Sequence, residues 1–86
     1  MAKVVITAVY PEADVPGVPE AWFRVSVDGE QVLANPDRPR ANFVSFAAAE
    51  AAALSAAGVA EAPWSEQYDS TLAVALNQPA AFVAFV

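Results

Sequence analysis

The chain has no cysteine, no histidine, three glycines and only four basic residues. Without cysteine, neither a disulfide nor a thiolate zinc site can staple the fold. The same absence fits a reducing compartment, and a cytoplasmic location is expected. Without histidine, the commonest general base and metal ligand is gone. Three glycines do not make a phosphate-cradling loop. Long apolar runs are missing as well. The stretch after Lys3 is too short for a signal peptide. The uncharged stretch over residues 72–86 is broken by Asn77-Gln78-Pro79 and is too short to cross a bilayer. No membrane partner is expected.

Charge of one sign is also scarce. Ten acidic residues face four basic ones, for a formal net charge of −6. That balance opposes direct binding to nucleic acid and is compatible with a protein partner that has a basic surface. Charged residues make up 16% of the chain and apolar ones 57%. Alanine supplies much of the apolar share, so the percentage overstates the core. A chain of 86 residues forms one domain, 1–86. At that size folding buries only about 60% of the unfolded surface.

What is present centres on residues 45–58, S-F-A-A-A-E-A-A-A-L-S-A-A-G. Alanine has the highest helix propensity, and no β-branched residue interrupts the run. Ser45 is suited to cap the first turn, and Gly58 to close the last one in the left-handed region. At about 100° per residue, Ala47, Ala51, Leu54 and Gly58 fall on one side, flanked by Glu50 and Ser55. The other side carries Ala48, Ala49, Ala52, Ala53 and Ala56, and is read as the outer face. It is either a solvent face filled with alanine or a second packing face.

The remainder reads as strand and turn. Residues 3–10 are rich in Val and Ile and alternate Val4, Ile6, Ala8 and Tyr10 against Val5, Thr7 and Val9. Apolar residues on both sides predict a central or doubly covered strand. Residues 11–20 hold three prolines and a glycine, which predicts a long loop without regular structure. In residues 21–28, Phe23, Val25 and Val27 alternate with Trp22, Arg24 and Ser26. Asp28-Gly29 is a two-residue hairpin signal. Folding there pairs Val27 with Glu30, Val25 with Val32 and Phe23 with Ala34. Residues 35–42 form a proline-stiffened connection with Arg38 and Arg40. Phe43-Val44 either ends a strand or packs under the start of the helix. Beyond Gly58, a connection closed by Pro63 carries Trp64 as a lid on the core. A strand is predicted over residues 68–76, with Leu72, Val74 and Leu76 inward. The last strand is predicted over residues 80–86, with Phe82, Ala84 and Val86 opposite Val83 and Phe85. Such a strand sits centrally or at an oligomer contact, since an exposed apolar edge invites aggregation.

The expected fold is α+β, in the order β-β-β-α-β-β. Four to five mainly antiparallel strands carry the single helix on one face. The second face then holds Trp22, Arg24, Leu33 and some of Val5, Val9, Val83 and Phe85. That surface is too apolar to stand in water without a purpose. It, or the alanine face of the helix, is where a partner is expected.

Chemistry is hard to find. Serines 26, 45, 55, 65 and 70 have no histidine to activate them, and the only lysine is Lys3. Glu66 lies three residues from Asp69, a spacing met more often in solvated carboxylates than in an acid–base pair. Asp28-Gly29-Glu30 is a turn and lacks the spacing of a calcium loop. No catalytic, cofactor or metal site is expected, and the protein is not expected to be an enzyme.

The layout resembles the small, acidic α+β proteins that phages encode to inhibit host systems, including some type I anti-CRISPR proteins. The likeness lies in Val4-Val5-Ile6-Thr7, in the Val25-Ser26-Val27-Asp28-Gly29 hairpin, in the alanine-rich helix from Ala47 to Ala57 and in the closing strand pair. It covers the whole chain without a specific motif. It implies a non-enzymatic blocker that occupies the basic surface of a nucleic-acid-handling protein. The contacts it implies are Glu12, Asp14, Glu20, Asp37, Glu61, Glu66 and Asp69. The alternative is a self-associating structural subunit, of a virion or of a small homo-oligomeric assembly such as a homodimer. Its contacts are Ala48, Ala52, Ala56, Val83 and Phe85. A third reading, a small-molecule pocket lined by Trp22, Trp64 and phenylalanines, has less support.

Overall fold

The computed structural model describes residues 1–9, 22–34, 42–43, 45–68 and 78–86. The expected order is borne out: β1 (Lys3–Val9), β2 (Trp22–Val27), β3 (Glu30–Val32), α1 (Phe46–Ala57), β4 (Ser65–Gln67) and β5 (Ala81–Phe85). The strands form one five-stranded sheet in the order β3-β2-β1-β5-β4, antiparallel throughout. The loop expected over residues 11–20 and, apart from Tyr68, the strand expected over residues 68–76 lie outside the described residues, as do Arg38 and Arg40.

β1 is central because both of its faces are apolar. It pairs with β2 (Val4 with Val27, Ile6 with Val25) and with β5 (Val4 with Ala84, Ile6 with Phe82). β5 is likewise enclosed, between β1 and β4. The hairpin turns at Asp28-Gly29, both with positive φ (51° and 83°), as a tight turn of this kind demands. Val27 faces Glu30 and Val25 faces Val32, as the alternation requires.

Two further expectations need correction. Phe23 does not continue the β2–β3 ladder to Ala34. β3 ends at Val32, and Phe23 instead exchanges two backbone hydrogen bonds with Phe43, at 2.9 and 2.6 Å. Phe43 is thereby buried beneath the helix start. A strand, β4, forms at Ser65–Gln67, ahead of the expected stretch, and Tyr68, expected to begin a strand, lies beyond its end. Ser65, Glu66 and Gln67 pair with Val83, Phe82 and Ala81. The backbone ladder builds this strand, with no apolar face of its own.

The helix begins and ends where its caps dictate. Ser45 is extended and its hydroxyl accepts from the Ala48 amide at 3.2 Å. Gly58 enters the left-handed region at φ 73°, and the amides of Gly58 and Val59 close on the carbonyls of Ser55 and Leu54. The faces, however, are rotated from the expectation, although Ala48 and Ala56 are exposed as assigned. Ala49 and Ala53, assigned to the outside, are fully buried, and Ala52 packs against the core. Ala47 and Ala51, assigned to the inside, are exposed. Phe46 decides the rotation. It lies on the same side as Ala49, Ala53 and Ala57 and packs against Phe23, Phe82 and Trp64 at centroid distances of 5.9, 4.4 and 6.4 Å. Burying one phenylalanine removes more apolar surface than any orientation of the alanines.

The core is therefore one layer between helix and sheet. Val4, Ile6, Val25, Phe43, Ala49 and Ala53 form it, with Phe23, Val27, Val32, Phe46, Trp64, Phe82 and Val86 around it. Small alanines let the helix backbone sit close to the sheet. Trp64 closes one side, and its indole N–H donates to Glu50 Oε2 at 2.7 Å. That bond satisfies a half-buried carboxylate and anchors the connection after the helix. Among the described residues, no helix is long and apolar enough to cross a membrane.

Candidate functional site

The helix covers only one face of the sheet. Strand alternation sends the other residues to the opposite side. That open face carries Lys3, Val5, Thr7 and Val9 from β1; Trp22, Arg24 and Ser26 from β2; Gln31 from β3; Ser65 and Gln67 from β4; and Ala81, Val83 and Phe85 from β5. The registers place them in rows. Gln31, Ser26, Val5, Val83 and Ser65 form the central row. Arg24, Thr7, Ala81 and Gln67 form a second. Lys3 pairs with Phe85 at one end, and Val9 with Trp22 at the other.

Among the described elements, none crosses this face. Phe85 is 55% exposed, Trp22 44%, and Leu33, just past β3, 38%. Val5, Val9 and Val83 are half-buried between them. The Arg24 guanidinium is fixed by its Nε, which donates to Asn42 Oδ1 at 2.8 Å. Among the described residues, neither Arg24 nor Lys3 has a carboxylate within ion-pair distance. The Lys3 backbone amide, by contrast, holds the Asp28 carboxylate at 2.9 Å. The chemistry available here is that of contact: aromatic and aliphatic area, two cations, and small hydroxyl and amide groups.

The residues expected from the sequence are scattered. Of the acids, Glu61 is exposed in the α1–β4 connection, and Glu66 is exposed on β4, where it accepts from the Tyr68 hydroxyl at 3.0 Å. Glu12, Asp14, Glu20, Asp37 and Asp69 lie outside the described residues. Of the self-association residues, Val83 and Phe85 stand on the open face. Ala48 and Ala56 are exposed on the helix, and Ala52 is turned toward the core. The two tryptophans do not line one pocket, because Trp22 is on the open face and Trp64 is on the helix side. Among the described residues, no three acids come together as a metal cluster would require. Lys3 was missed as a member of the face. The signal was available, since Lys3 shares its parity with Val5, Thr7 and Val9.

The chain matches no protein-family model, no curated protein and no solved structure. The reading of its role therefore rests on the geometry of this face.

Proposed function

We propose that this chain is a non-enzymatic protein-binding module that docks its partner on the open face of the sheet. One observation carries the reading: Trp22 and Phe85, with Leu33 just past β3, remain exposed, while Val4, Ile6, Val25 and Ala84 on the other face of the same sheet are buried. Aromatic anchors are the side chains that contribute most at protein interfaces. The sheet edges are poor alternatives. β3 and β4 have three residues each, and such short strands offer little for edge-to-edge pairing. A narrower reading is a phage-type inhibitor that meets a basic host surface through its acids. It is supported by the net charge and by the layout.

A photo-crosslinking residue at position 85, compared with one at position 48 on the helix, tests the reading in cells of the source organism. Discrete protein adducts from position 85 and none from position 48 are expected. Adducts from position 48 alone, or none from either, overturn it. Self-association is the second reading, supported by the position of Val83 and Phe85 on the same face. Light scattering at low and high salt separates the two. A salt-insensitive dimer that Phe85→Glu dissociates favours the subunit, and a monomer favours the foreign partner.

A further inference from the structure

The net charge of −6 describes the whole chain and conceals how the charges are divided. Both described cations, Lys3 and Arg24, stand on the open face. The five described acids stand elsewhere. Asp28 is in the turn, with its carboxylate engaged by the Lys3 amide. Glu30 and Glu66 occupy helix-side registers, opposite Val27 and Phe82. Glu50 is on the helix and bonded to Trp64. Glu61 is in the connection that follows. Among the described residues, the open face of this acidic protein therefore carries the cations and none of the acids.

The two cations also have a pattern. Lys3 is the cross-strand partner of Phe85, and Arg24 is two residues from Trp22 on the same face. Arg24 lies opposite Thr7, four residues along β1 from Lys3. At strand spacing this sets the cations roughly 14 Å apart, with Val5 and Val83 between them. Each end of the face thus pairs a cation with an aromatic ring, and the row between them has Val5 and Val83 at its centre, flanked by Ser26 and Ser65.

Resting on the docking reading above, we infer that the partner of this face is an acidic protein segment carrying apolar side chains. Its carboxylates meet Lys3 and Arg24, and its apolar groups cover Val5, Val83, Trp22 and Phe85. A basic segment would set like charges against one another here and would be drawn to the acids on the other side. The net charge does not forbid an acidic partner. At physiological salt the screening length is about 8 Å, so charges across the domain act weakly on this face. A single-stranded nucleic acid could use the same rings. Two cations release few counterions, however, and the chain as a whole repels phosphate.

The test titrates the full chain with three probes, following the methyl and ring signals of Val5, Val83 and Phe85 by NMR against those of Val4 and Val25. The probes are a short peptide of alternating glutamate and leucine, its lysine–leucine counterpart, and a short oligothymidylate. The glutamate peptide is expected to move Val5, Val83 and Phe85 and to bind more weakly as salt rises. Its affinity should fall about two- to tenfold in Lys3→Gln combined with Arg24→Gln. Arg24→Gln also loses the bond to Asn42, so Lys3→Gln alone must show part of the effect. A lysine peptide that takes these residues equally well or better overturns the acidic partner and leaves the docking face standing. Oligothymidylate taking the face overturns it in favour of nucleic acid. If no probe moves these three residues, both the inference and the docking reading fall.

Discussion

The two faces of the sheet are built from the same strands, yet they end in opposite conditions. On the helix side Val4, Ile6, Val25 and Ala84 are at most 1% exposed. On the other side Phe85, one residue from Ala84, and Trp22, three from Val25, are about half open to water. The open face is the more polar, with Lys3, Thr7, Arg24, Ser26, Gln31, Ser65 and Gln67, but both faces carry large apolar residues, so their presence alone does not separate the two. A covering layer does, and Phe46 and the small alanines of α1 provide it on one side only. Stability resides on the covered face. Among the described residues, the open face keeps apolar area that the helix does not cover, and that is the area the proposed docking would use.

The sharpest way to break this comparison is to put a charge on each side of the helix. Ala49→Glu would bury a carboxylate with no partner and is expected to leave no folded population by circular dichroism. Ala48→Glu, one residue away and exposed, should change stability by less than about 0.5 kcal/mol. If the two behave alike, the helix is rotated from the orientation described. Next in size is Ile6→Ala, at the centre of the covered face. It should cost roughly 2–4 kcal/mol in urea unfolding, because the surrounding core cannot close over the void. Gly58→Ala should cost about 1 kcal/mol. Nothing lies within 4 Å of an added Cβ there, so the whole cost is the left-handed backbone at φ 73°. The smallest effect is expected at Phe85→Ser on the open face, within about 0.5 kcal/mol of the parent. That variant should nevertheless lose the crosslinks formed near position 85. A large loss of stability would show that Phe85 belongs to the core.

The features legible in the sequence were the local ones. Ser45 and Gly58 mark the helix ends because capping needs only a hydroxyl and a residue tolerant of positive φ. Asp28-Gly29 fixes the hairpin register because a two-residue turn leaves no slack. The alternation in β1, β2 and β5 told the two sheet faces apart. The helix faces were not legible, since alanine all around gives no contrast between inside and outside. Leu54, taken as the inward anchor, is only half-buried, and Phe46 sets the rotation. β4 could not be read either. Ser65, Glu66 and Gln67 have no apolar pattern, and they form a strand because β5 offers them free backbone groups. The Phe23–Phe43 bridge joins segments far apart in the chain, which local signals do not reach. As for the site, the open face and most of its apolar members were readable. Its basic character was not, because net charge carries no positions.

One detail of the sheet bears on how the domain comes apart. Ala2 and Val86 exchange backbone hydrogen bonds at 2.7 and 2.9 Å, at the same end of the β1–β5 pair. Tension applied between these two residues therefore loads that ladder one rung at a time, as a zipper opens, and never all rungs together. The domain should be mechanically soft along this axis whatever its thermal stability. The first rungs to go would free β1, the strand on which both the core and the open face depend.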